Sequence, residues 1–288
     1  MKKLILILFS IPQFSFAQSE KIVVNNAYEF VDAIGSNRII EISNTIYLSE
    51  INEGKRDEHY WINTEWDKHE LIVAGVYNLE IIGQGSAPIK IITSDVESEV
   101  VNFENCKNIK ISNINAGHGP KKGIECEGGV FYFKNCQNIT IENSIMYGSG
   151  SCGITTRDVK GLKCINSIIR GCTHEAVSLY NTTEIEFDKC EFSDNDFYDL
   201  FRIYNCINVS INECIIENNH NSCDGDHLGY NSAFHSLFDV NKSMTISINN
   251  CQINNNEACF LFNKANVVEI QNNKLENNEF KLGNFFEK

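Results

Sequence analysis

The sequence predicts an all-β solenoid: short parallel strands wound into one coil, with a short helix closing its N-terminal end. Three observations predict it. The pattern apolar-x-apolar-x-Asn recurs from Leu79, Ile109, Ile139, Leu162, Ile185, Val209, Ile246 and Val268, in steps of 30, 30, 23, 23, 24, 37 and 22 residues. Within each copy the alternation has a period of two, which is the mark of a strand and not of a helix. Asn accounts for 38 of the 288 residues and Pro for three, a composition that suits many strands joined by tight turns. A base period of 22 to 24 residues with occasional insertions is that of stacked repeats, each burying its apolar edge on the next.

Taken in order, Met1-Lys2-Lys3, the apolar run Leu4 to Phe9 and the small residues of Ser15-Phe16-Ala17 read as an export signal over 1–17. The run is too short to span a bilayer, and no second long apolar run follows, so a secreted or periplasmic chain without a membrane span is expected. Residues 18–38 read as an N-terminal cap. In it, Asn26 to Gly35 form a short amphipathic helix with Asn26 as cap, Glu29 three residues later and Gly35 as the stop. Such a helix covers strand edges that would otherwise invite aggregation. Residues 39–288 form the coil, with 50–68, containing Trp61 and Trp66, as a packed polar excursion from an early turn.

A second strand sits at constant offset before each copy of the pattern, so a coil has at least two strands and room for a third. In the strand from Val130, Phe131 and Phe133 point inward, as do Ile154, Phe201, Ile203, Phe238, Val240 and Leu261 in its equivalents. Two outward columns result: Tyr132, Thr155, Leu179, Arg202, Asp239 and Phe262, and beside it Lys134, Arg157, Asn181, Tyr204, Asn241 and Lys264. Like residues in equivalent positions stack as ladders about one strand spacing apart, roughly 4.8 Å. The column Asn113, Asn143, Asn166, Asn250 and Asn272 is expected to bond amide to amide and to hold left-handed turn residues. Cys190, Cys214 and Cys251 share one column on successive coils, and Cys106, Cys136 and Cys206 another on non-successive ones. With Cys164 inward, the twelve cysteines read as buried thiols used as small hydrophobes.

On these residues the chain resembles the exported bacterial right-handed parallel β-helix proteins of the pectin-lyase-like superfamily, over about residues 39 to 280. The resemblance implies the handedness of the coil, and a polysaccharide groove on one outward strand face. Motifs of individual members are missing. Gly117-His118-Gly119 is not preceded by the acidic motifs of polygalacturonases, and the Arg-x-x-Pro-x-x-Arg run of pectate lyases is absent.

The outward columns supply the candidate catalytic residues Lys134, Arg157, Arg202 and Asp239. A cation beside Lys134 lowers its pKa and makes it a base, and a second cation neutralises a uronate carboxylate, as a lyase needs. His174, on a turn beside this face, joins them as an acid or base. Tyr132, Tyr204 and His118 are the candidate substrate-binding residues. Insertions follow Gly117 and Asn219, on one edge; in the second, Asp224, Asp226 and His227 are a candidate metal site, with Ca²⁺ as the possible cofactor. A net charge of −14 argues against a nucleic-acid partner. The sequence therefore points to an exported protein that binds, and in one version cleaves, an extracellular polysaccharide as lyase or glycosidase. The alternative is a non-catalytic structural or adhesive envelope protein.

Overall fold

The structure, a computed structural model, describes residues 19–65, 68–119, 128–148, 150–221, 223, 234–263 and 268–286. Its strands stack into three long sheets along one axis, A and C of ten strands and B of nine, with a short fourth sheet of four strands at one corner. Successive strands within a sheet come from successive coils and pair in parallel; the exception is Tyr60–Asn63, antiparallel to Glu70–Ala74. That hairpin is the excursion expected at 50–68. Strand Glu20–Val24 already pairs with Arg38–Ile42 as the first strand of sheet A, so the coil starts ahead of the helix.

The helix spans Ala27–Ala33. Asn26 caps it by accepting from the Glu29 amide at 3.0 Å, and the Glu29 carboxylate reaches back to the Asn25 amide at 3.0 Å. It stops at Ile34, one residue short of Gly35, and buries Phe30 and Val31 over the first coil.

The corners explain the Asn content. A coil turns from sheet A to sheet B on a single left-handed residue: Asn113, Asn143, Asn166, Lys189, Glu213, Asn250 and Asn272 all have φ between 47° and 57°. Asn, whose short side chain bonds locally, is the residue best suited to that conformation after Gly. The corner from C to A uses Asn105, Asn135, Asp158, Asn181, Asn205 and Lys242, with a second left-handed residue three further on, as at Asn108, Asn138 and Asn208. The amide ladders, however, run elsewhere than expected. In the Asn113 column one amide-to-amide bond joins Asn272 to Asn250 at 3.4 Å among the described residues. Continuous ladders run through exposed Asn37, Asn78, Asn108 and Asn138, at 2.7–2.9 Å, and through Asn195, Asn219, Asn256 and Asn278 at the corner after sheet B.

The interior is a set of stacked apolar columns. Phe103 lies on Phe133 with centroids 5.1 Å apart, and Phe201, Phe238 and Phe262 stack at 5.0 and 5.2 Å. This register corrects two strands of the expected face assignment. Val177 pairs with Ile154 and Phe201, so Leu179 points inward and Ser178 and Tyr180 take the outward places given to Leu179 and Asn181. Phe262 pairs with Phe238, so Phe262 and not Leu261 is the inward equivalent, and Asn263 is outward. Both errors are slips of one residue: elsewhere an apolar letter precedes the inward residue, as in Leu200-Phe201, but Val177 is itself inward and Phe260 lies two residues ahead of inward Phe262.

Nine described cysteines are free and buried, as expected. Cys106 and Cys136 prove to be on successive coils, the Cys106 amide lying 3.4 Å from the Cys136 sulfur. Cys223 and Cys259 depart from the thiol reading and form a disulfide. Among the described residues no helix is long and apolar enough to cross a membrane.

Candidate functional site

The strands of sheet C set the site. Outward from them stand Asn102, Tyr132, Thr155, Ser178, Arg202, Asp239 and Asn263 in one column, and Glu104, Lys134, Arg157, Tyr180, Tyr204 and Asn241 in the next. Six candidate residues thus share one face: Tyr132, Lys134, Arg157, Arg202, Tyr204 and Asp239. His174 lies on the turn beside it, its ring 4.5 Å from that of Tyr198, which packs 4.8 Å from His235. His118 does not join them. It ends a strand of sheet B, is buried, and its Nε2 lies 2.9 Å from the Ser98 carbonyl; burial holds its pKa below the usual value. Asp224, Asp226 and His227 lie outside the described residues.

A third column, two residues before each inward strand residue, was missed from sequence. It runs Glu99, Gly129, Cys152, Glu175, Asp199, Ser236 and forms a ledge along the edge of the face. Counting back from the Phe131 column would have found it. Here the charges converge on Arg202. Its Nη1 lies 2.6 Å from Glu175 Oε1, its Nη2 3.5 Å from Asp199 Oδ2 and its Nε 4.0 Å from Asp239 Oδ2. Asp199 also accepts from the Ser236 amide at 2.7 Å and hydroxyl at 3.0 Å, and faces His235 Nδ1 at 3.5 Å. Cys152 donates to Glu175 Oε2 at 3.2 Å, and its thiol is pushed well up by burial and by that carboxylate.

Burial alone would raise the pKa of Asp199 and lower that of Arg202. The His235 and Ser236 contacts and the paired charges outweigh it, so Asp199 sits below the usual carboxylate range and Arg202 above its own. Asp199 and Arg202 are therefore charged and anchored. The Glu175 and Asp199 side chains are 5% and 8% exposed, against 32% for Arg202. A ligand on this face meets the guanidinium edge and not the two carboxylates.

The rest of the face is polar and aromatic. Lys134 Nζ is 3.2 Å from Glu104 Oε1, so its ammonium is already partnered, while Arg157 in the neighbouring place is exposed. Tyr180 and Tyr204 rings lie 6.0 Å apart, and Lys242 donates to the Tyr204 hydroxyl at 2.6 Å while lying over its ring. At the N-terminal end of the ledge, Glu99 rests on Gly129, where a Cβ would come within 2.2 Å of Oε2. That oxygen is sealed from solvent and unpaired, although the residue as a whole keeps some exposed surface. Burial, with Glu70 nearby, pushes the Glu99 carboxyl up to about 8.

A family profile described as "Right handed beta helix region" matches residues 19–280. Among solved structures, an alginate lyase from Paenibacillus sp. superposes with a TM-score of 0.52 at 10% identity, covering 93% of this chain and 98% of that one. The pectin methylesterase from Aspergillus niger does so with a TM-score of 0.50 at 10% identity, covering 95% and 91%. At such identity these likenesses show the fold alone. No curated protein matches the sequence.

Proposed function

Since the chain belongs to the right-handed β-helix family, whose coil sets equivalent side chains in straight columns, we propose that it is an exported protein binding an extracellular polysaccharide along the outward face of sheet C. The observation that carries this reading is the column geometry itself: Tyr132, Arg157, Tyr180, Arg202 and Tyr204 repeat at strand spacing on one face, with Arg202 anchored by Glu175 and Asp199. From Tyr132 to Tyr204 the strip crosses three strand spacings, roughly 14 Å. That suits a chain ligand, with aromatic rings for sugar faces and guanidinium edges for hydroxyls or carboxylates.

Binding is favoured over cleavage. A lyase needs a free base beside its cation; Arg157 is exposed, but Lys134 is tied to Glu104 and Arg202 to three carboxylates. A glycosidase needs an acid and a base within about 10 Å of each other and both open to the glycosidic bond. Asp199 is ionised but sealed, and the carboxyl held protonated, Glu99, lies four coils away, roughly 19 Å along the axis.

The test is affinity electrophoresis on a panel of neutral and acidic polysaccharides, with a reducing-end assay run beside it in Ca²⁺ or chelator. Retardation by one polysaccharide without new reducing ends is expected, and Arg157→Ala together with Lys134→Ala should weaken it at least tenfold. Unchanged retardation in that double variant would remove the sheet C face from the reading; new reducing ends would make the protein an enzyme, with the chelator arm deciding whether a metal takes part.

A further inference from the structure

Sheet B carries a groove that the sheet C reading does not use. Its outward positions run Tyr47, Ile92, Gly117, Tyr147 and Arg170 on successive coils. Gly117 has no side chain, and the Tyr147 ring lies across it: a Cβ there would come within 2.6 Å of the ring carbons. At the following corner Gly148 and Gly171, both at φ 66°, add no side chain either. The short 3-10 turn Leu48–Glu50 forms one wall. The result is a groove of about 850 Å³, within the range of small-ligand sites.

Its lining is mixed. Tyr47 is 50% exposed, and the half-buried Tyr147 stands three coils further along. Lys90 and Arg170 are set against Glu50 and Asp194, so the charges balance. Balanced charge gives hydrogen bonds without net attraction for a polyanion or a polycation. Two tyrosine faces offer flat apolar platforms whose hydroxyls still bond. From Tyr47 to Asp194 the groove crosses five strand spacings, roughly 24 Å, longer than a compact metabolite.

We propose that this groove binds a neutral oligosaccharide, lying along the coil axis and stacked on Tyr47 and Tyr147. The site is on a different face from the sheet C strip, and its occupancy is independent of whether that strip binds a glycan.

Isothermal titration with cellohexaose, mannohexaose, xylohexaose and, as the anionic comparison, a hexagalacturonate tests it. At least one neutral hexaose should bind, with an affinity that changes less than twofold between 0.05 and 0.5 M salt. Tyr47→Ala, an exposed position that leaves the core intact, and Tyr147→Ala should each weaken it at least tenfold; Tyr147→Phe should retain most of it, and Arg157→Ala on the other face should leave it unchanged. Binding of the hexagalacturonate alone, no binding by any neutral hexaose, or neutral binding indifferent to Tyr47→Ala would each overturn the proposal. Loss on Arg157→Ala with Tyr47→Ala silent would assign the ligand to sheet C instead.

Discussion

At Glu99 a carboxyl is held where water cannot reach one of its oxygens, with Glu70 close by and its own pKa likewise raised by burial. The folded-state value of about 8 stands above the ordinary 4.5. A group whose pKa is raised by folding contributes stability fully below its unfolded value, and that contribution is lost as pH rises through the folded value. The protein should therefore lose stability between about pH 4.5 and pH 8, by a few kcal/mol from this residue. Glu99→Gln removes the titration, so thermal melts of the variant should be much flatter across that window than those of the parent; equal slopes would show that Glu99 is ionised in the fold. Asp199 acts with the opposite sign. Its lowered pKa contributes stability above the ordinary 3.8, lost as pH falls through the folded value. Arg202→Ala leaves Glu175 and Asp199 facing each other without their shared cation, and should cost on the order of 2–3 kcal/mol in urea unfolding, less than a fully buried pair because the guanidinium is partly exposed.

Among the elements, the Asn ladder at the corner after sheet B is the one whose loss is best defined. Asn219 Oδ1 accepts from both the Asn195 amide and its Nδ2, while Asn219 Nδ2 donates to the Phe192 carbonyl at 2.9 Å and to Asn256 Oδ1 at 2.8 Å. Asn219→Ala takes their side-chain partner from the buried Asn195 amide and the Phe192 carbonyl and should cost about 3 kcal/mol, read as a lower urea midpoint at unchanged slope. Asn219→Asp keeps the acceptor and should recover part of that. The repeats themselves were legible in the sequence because the inward positions of every strand are apolar and the period shows through them. Which asparagines bond to each other was not legible. That depends on whether a side chain points along the axis or back to a carbonyl, as Asn113 does to Gly83 at 2.7 Å. The face assignment failed at Val177–Tyr180 and Phe260–Asn263 for a related reason: the first apolar letter of a strand does not mark one fixed place in the pleat, being the inward residue itself at Val177 and lying two ahead of it at Phe260. The outward candidates Arg202 and Asp239 were found by alternation, whereas Glu175 and Asp199 precede the strands Val177–Tyr180 and Phe201–Tyr204, and the alternation has to be counted back past the strand ends to reach them.

For the whole molecule, coils contact chiefly their neighbours, so stability should be close to additive along the axis. Removing residues 137–159 deletes one full coil, since Gln137 and Lys160 occupy the same place in sheet A. The shortened chain should keep a β circular-dichroism spectrum and unfold in one transition at a lower urea midpoint. A chain that fails to fold would show that the two ends are coupled over distance and not through successive contacts.

The corner from sheet A to B turns on one left-handed residue in most coils, and that from C to A on two set three apart, such as Asn105 and Asn108 or Asn205 and Asn208. The A-to-B corner lengthens in one coil, between Ile81 and Ile91, and the ladders on both sides persist. The largest changes in length fall at the corner between sheets B and C, and that corner borders both the Arg202 ledge and the Tyr147 groove. Two corners vary little and the third varies widely: descendants of this chain can acquire new ligands by altering chiefly one seam of the molecule while its core remains as it was.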